Sequence, residues 1–217
     1  MNRTRSLILS WFSSFGRSFP WRSTDNAFHI LIAEMMLRRT TAQAVARLYS
    51  DFIVEYGTVD QLASANVEIV STTISSLGLQ NTRSKHLVTT AKIIQSDFDS
   101  LVPSGEKDLV SLPGVGKYVA NAVRNFAFHY SVPLVDGNIL HFLNRVFSLQ
   151  FKNAYNEQAW SFMNTFGAPH KPQFYFGIID LVSLVCLRKN SRCEECPVRP
   201  VCDSSLKGMQ KRKESGC

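Results

Sequence analysis

Apolar residues recur along this chain at helical spacing. In "FHILIAEMMLRRTTAQAVARLYSDFIVEY", Ile30, Ala33, Met36 and Leu37, then Val45, Leu48, Tyr49 and Phe52, fall at i, i+3, i+4 intervals. That pattern predicts two amphipathic helices with a break near "RRTT". Short helices are expected over 58–66, opened by the cap-like Thr58, and over 67–76. The glycine turn in "SLGLQN" follows, and "TRSKHLVTTAKIIQSDF" resumes the helical period. Further on, Ser104 can cap a short helix over 105–111, Gly114 and Gly116 interrupt it, and Lys117 to Phe128 forms another. No segment alternates with period two for long enough to demand a sheet, so the expected class is all-α.

Composition narrows the picture. A chain of 217 residues, 45% hydrophobic, can bury a real core as one large domain or two small lobes. Lys and Arg outnumber Asp and Glu by 24 to 17, a net charge of +7 that suits a polyanion such as nucleic acid, or an ordinary basic surface. No run of about 18 apolar residues is present, and "MNRTRSLILSWFSSFGRSF" lacks the apolar core and cleavage site of a signal peptide. A non-membrane, cytosolic or nuclear protein is expected, which in a prokaryote means a cytoplasmic, nucleoid-associated one. The tail "KGMQKRKESGC" is basic and suited at most to non-specific attraction of DNA.

Two motifs carry chemistry. "LPGVGKYVANAV" places glycines at a turn between two helices, a helix–hairpin–helix. Such a turn lets backbone N–H groups face outward while the second helix adds its positive end, a nest for one phosphate with Lys117 beside it. Amides carry no base information, so the element positions nucleic acid without reading it. The plainer alternative is an ordinary connector. The second motif is "CLRKNSRCEECPVRPVC", where Cys186, Cys193, Cys196 and Cys202 follow a C-x6-C-x2-C-x5-C spacing. Four thiolates so close can hold zinc or a [4Fe–4S] cluster, and a lone CxxC with unequal loops leans towards the cluster. Cys217 lies outside that spacing and reads as a terminal thiol.

"LPGVGKY", "VDGN" at 135–138 and the cysteine spacing together resemble the helix–hairpin–helix DNA glycosylase superfamily, in the branch of endonuclease III, the adenine DNA glycosylases and the thymine–guanine mismatch glycosylases. The similarity runs from "FPWR" to the last of the four cysteines. It implies a two-lobed all-α fold, with residues 1–25 and 126–217 in one lobe and 26–125 in the other. It also implies double-stranded DNA bound across the cleft by a monomer, a flipped-out base, and a structural [4Fe–4S] cluster on the four cysteines, with Arg188, Lys189, Arg192 and Arg199 presented to DNA.

The resemblance assigns roles residue by residue. Asp136 matches the carboxylate that stabilises the oxocarbenium-like sugar or assists water, although an Asp before Gly137 can equally cap a helix. Tyr118 stands where bifunctional members carry a lysine, and without an amine there is no Schiff base, which implies a monofunctional enzyme. It also suits a pyrimidine pocket, or is simply a core aromatic. Glu34, among apolar neighbours, is expected to be partly desolvated and to assist base departure or hold a pyrimidine, or else to sit on a surface. Arg38 and Arg39 can contact the orphaned guanine or a phosphate. Gln80, ahead of Asn81, is placed as the wedge, and Asn138 orients the acid or a phosphate. The implied function is removal of thymine or uracil opposite guanine, leaving an abasic site. Alternatives are adenine excision, disfavoured by the short sequence after Cys202, excision of another modified base, and a DNA-binding module without catalysis.

Overall fold

The computed structural model describes residues 1–206, so the basic tail and Cys217 lie outside the described residues. The described residues form α-helices and no strand: α1 (Asn2–Phe15), α2 (Ala27–Leu37), α3 (Ala42–Tyr56), α4 (Val59–Ala63), α5 (Val67–Thr73), α6 (Gln80–Asp97), α7 (Glu106–Ser111), α8 (Lys117–Phe126), α9 (Gly137–Val146), α10 (Glu157–Phe166) and α11 (Pro172–Leu184), with a further helical turn at 203–206. None of them is long and apolar enough to cross a membrane. Contacts divide the chain into a continuous unit, Ser18–Tyr130, and a split unit formed by Met1–Arg17 with Ser131–Cys217.

In the continuous unit α6 packs on α4, α5 and α2, while α8 packs on α2 and α7. The centre of this arrangement is α2. It is buried nearly all round, from Phe28 through Met36, and is therefore a core helix, not the amphipathic one its spacing suggests. Stacking of Phe19 on Trp21 at 4.8 Å, with Trp21 edge-on to Tyr49 at 5.2 Å, fixes residues 18–25 in this unit. At its other end Asn125 Nδ2 donates to Tyr130 O, 3.2 Å away, and Arg124 lies over the Tyr130 ring. Thr58 opens α4 with a full capping box, as expected. Ser104 does not cap α7. The cap residue is Gly105, without a side-chain hydrogen bond, and Ser104 Oγ instead accepts from the Tyr130 hydroxyl at 3.3 Å. The following helix ends at Phe126, two residues short of its expected limit at Phe128.

The split unit packs α11 against both α1 and α9. Gly177 marks the crossing with α1: a Cβ there would stand 2.7 Å from Ile8 Cγ2. An aromatic cluster of Phe142, Phe147, Phe162, Phe166 and Phe174 fills the space between α9, α10 and α11. At the end of α1, Arg17 is bound to the fully buried Asp180: its backbone N donates to Oδ2 at 2.7 Å and its Nε to Oδ1 at 2.8 Å.

Candidate active site and nucleic-acid interface

The hairpin is built in the continuous unit by α7, residues 112–116 and α8. Gly114 has φ +80°, and a Cβ there would come within 2.8 Å of His86 Nδ1, so conformation and space both require glycine. Two side chains hold the turn by donating to its carbonyls: Arg38 Nη1 to Gly114 O at 2.8 Å and Thr90 Oγ1 to Pro113 O at 2.9 Å. Gly116 is the cap of α8, with no side-chain hydrogen bond and open space where a Cβ would be. An uncapped helix start of this kind is suited to an anion, and the exposed Lys117 follows at once. Gly114→Ala should therefore weaken binding to matched and mismatched duplexes alike, by about tenfold for the loss of roughly one charged contact. Anisotropy titrations on both duplexes check this, and a loss confined to one of them would contradict it.

The other predicted residues of this unit fall into distinct surroundings. Glu34 lies in α2 and is only 6% exposed. Tyr118 is half-buried in the first turn of α8. The two arginines part company: Arg38 is tied to the hairpin through Gly114 O, whereas Arg39 is exposed in a left-handed conformation, φ 57°. Gln80 begins α6, partly exposed, and the exposed Asn81 accepts from Ser71 Oγ at 3.0 Å. Leu79, before them, has φ 53° and is 55% exposed. Leu79, Arg38, Arg39, Thr82, Arg83, His86 and Met35 line one recess.

In the split unit Asp136 is the N-cap of α9. Its Oδ1 accepts from Asn138 N at 2.9 Å and Ile139 N at 2.8 Å, and its Oδ2 accepts from Asn138 Nδ2 at 3.1 Å. Capping and a chemical role coexist, because Oδ2 retains lone pairs beyond the Asn138 bond. The residue keeps some exposure, but its carboxylate is closely surrounded. Desolvation pushes its pKa above the ordinary carboxylate value, against the hydrogen bonds from Ile139 and Asn138 and the charge of Arg188, which act to lower it. If the ionised form is competent, activity rises with pH through a limb above the usual carboxylate range. Asn138→Ala removes one donor to the anion and should move that limb to higher pH. A single-turnover rate profile tests this, and a limb that does not move would contradict it. The stability sign is opposite. The native state holds this proton to higher pH than the unfolded chain does, so the contribution to stability is present at low pH and is lost as pH rises through the folded-state pKa.

Cys186, Cys193, Cys196 and Cys202 are free thiols lining one recess, together with Val146, Val185, Val198, Arg145 and Arg199. Sulfur also meets α9 directly: Arg145 Nη2 approaches Cys193 Sγ at 4.0 Å, Cys202 Sγ donates to Arg145 O at 3.6 Å, and Cys186 Sγ lies 3.7 Å from His141 Nε2. Burial pushes the Cys196 thiol up to about 11 and raises that of Cys186, so a bound cation must displace their protons. Among the described residues, no three His, Cys, Asp or Glu side chains converge as a single metal ion requires. Of the basic residues expected on this loop, Arg188 donates to Gly137 O at 3.0 Å, Arg192 lies 4.0 Å from Glu195, and Arg199 pairs with Glu194. Lys189 is exposed.

A family profile described as HhH-GPD superfamily base excision DNA repair protein matches residues 32–164. The chain belongs to the HhH-GPD superfamily. A thymine/uracil-DNA glycosylase from Methanothermobacter thermautotrophicus is 34% identical over 200 residues, covering 91% of this chain and 90% of that protein. An adenine DNA glycosylase from Buchnera aphidicola subsp. Baizongia pistaciae is 32% identical over 202 residues, covering 92% of this chain but only 57% of that longer protein. Among solved structures, a thermostable thymine-DNA glycosylase superposes with a TM-score of 0.88 at 31% identity, covering 95% of this chain and 98% of the other. The HhH-GPD match spans the hairpin, Glu34, Tyr118 and Asp136, and the cysteines lie beyond it.

Proposed function

We propose that this chain is a monofunctional DNA glycosylase that hydrolyses the N-glycosidic bond of thymine or uracil mispaired with guanine in double-stranded DNA. The observation that carries the reading is Asp136, a carboxylate fixed by three hydrogen bonds at the start of α9 in a desolvated setting. Positive charge developing on the deoxyribose is stabilised best by an anion already in place, because no reorganisation is then needed during the reaction. Water adds to C1′ as the base departs with the bonding electrons, leaving an abasic site. The choice of thymine or uracil draws support from the mismatch glycosylases among its relatives.

The remaining residues take roles around that step. Lys117 and the amides at Gly114 and Gly116 hold a backbone phosphate. Glu34 and Tyr118 receive the flipped pyrimidine, and Asn138 orients Asp136. Leu79, in place of Gln80, enters the stack as the wedge, and Arg39 reads the orphaned guanine, since Arg38 is engaged with the hairpin. The four cysteines fit a [4Fe–4S] cluster: they offer four sulfur donors on one recess, with Arg145 and Arg199 beside them to balance an anionic centre. Such a cluster supplies a structural crosslink for the loop 186–202.

Monofunctional chemistry follows from Tyr118, which cannot form the Schiff base that strand cleavage requires. Incubation with a U:G duplex should yield product that appears as a strand break only after alkali, and borohydride should trap no protein on DNA. Efficient cleavage without alkali, with borohydride trapping, would contradict this. The adenine reading has one specific observation behind it, the match to an adenine glycosylase over nearly the whole of this chain.

A further inference from the structure

Arg83 is 6% exposed, and its guanidinium is bonded to main chain. Nη1 donates to Met35 O at 2.6 Å and Met36 O at 2.9 Å, Nη2 donates to Arg38 O at 2.8 Å, and both Nε and Nη2 reach Gly78 O at 3.4 Å. The first two carbonyls belong to the last turn of α2, where helix carbonyls lack partners and the dipole is negative. The last opens the turn before α6. One planar fork therefore joins two segments far apart in sequence, 35–38 and the turn at 78.

The residue after each segment is exposed and left-handed. Arg39 and Leu79 follow Arg38 and Gly78, both in left-handed conformations that residues with side chains hold only when the surroundings impose them. Both line the same recess, whose wall Arg83 completes. Lysine could not reproduce the clamp, because a compact ammonium lacks the flat set of five donors that meets carbonyls from two directions.

We infer that Arg83 is a positioning residue for base extrusion, holding the Leu79 wedge and Arg39 in fixed register so that a pre-shaped surface meets the opening base stack. This rests on the glycosylase reading and extends it from the reacting carboxylate to the step before the chemistry. Arg83 touches neither sugar nor base and acts only through the two segments it joins.

The test separates extrusion from chemistry. A T:G duplex carries 2-aminopurine next to the target thymine, and fluorescence per bound duplex is read with saturating full-length protein in the Asp136→Asn background, where no base leaves. The rise should persist with Asp136→Asn alone and fall several-fold when Arg83→Lys or Arg83→Gln is added, while anisotropy still reports a bound duplex. In single-turnover excision with Asp136 intact, Arg83→Lys should lose at least about tenfold, the scale expected for a misplaced positioning group. In a Leu79→Ala background the same change should cost less than it does alone, because the part of its effect that acts through Leu79 is already lost. An undiminished fluorescence rise, or losses from Arg83→Lys and Leu79→Ala that multiply in full, overturns the inference. The fluorescence needs no bond cleavage, so it decides the clamp by itself. Excision by the unaltered protein tests the glycosylase reading separately. Normalising to bound duplex removes any unfolded fraction of a variant from the comparison.

Discussion

Asp136→Asn is expected to reduce base excision by at least about 10²- to 10³-fold, the loss typical of removing one preorganised electrostatic contact to a developing charge. The substitution isolates charge from structure. Asparagine is nearly isosteric, and its Oδ1 can still accept from Asn138 N and Ile139 N, so the start of α9 stays capped. Duplex binding should stay close to that of the unaltered protein, because the proposed phosphate contacts reside in the hairpin and are left untouched. Asp136→Ala should lose the same activity and, in addition, about 1 kcal/mol of stability from the missing cap. Excision by Asp136→Asn at an undiminished rate would reduce this acid to a helix cap.

The largest stability effect is expected at Asp180. Its side chain is fully buried and takes three donors from Arg17: the backbone N, Nε, and Nη2 at 2.7 Å. Removing one partner of a buried pair strands the other, at a typical cost of about 3–5 kcal/mol. For a chain of this size Asp180→Ala should then lower Tm by on the order of 10 °C. Arg17 is the last residue of the first segment of the split unit, so the loss should also loosen α1 on α11. Calorimetry gives the answer directly, and a shift of a degree or two would mean that the pair contributes little.

How far these features were legible in the sequence depends on the range of the contacts that make them. Asp136 was legible because a cap is local: its partners are two and three residues away, and "VDGN" contains acid, glycine and amide in order. Gly114 was legible for the same reason, since a turn between two helices needs a residue free to take positive φ. The helical period located α3 and α6, yet it marked α2 as amphipathic where burial on nearly every side leaves no polar face. Arg83 was invisible. It stands one turn before Leu87 on the buried side of α6, where an arginine reads as an exposed charge, and its carbonyl partners on α2 lie 47 and 48 residues away. The left-handed conformation and exposure of Leu79, on which its proposed role as wedge rests, are not written in "GLQN". The assignment of Arg39 over Arg38 likewise required the long-range bond from Arg38 to Gly114 O.

The choice of base is tested most directly by one measurement. Matched sets of duplexes carrying T:G, U:G, A:G or A:8-oxoguanine at the same position are incubated with excess protein under single-turnover conditions, then treated with alkali and resolved by strand length. Alkali-dependent product from T:G and U:G, with little or none from the adenine-containing duplexes, is the expected result. Product from A:G and A:8-oxoguanine alone would contradict it.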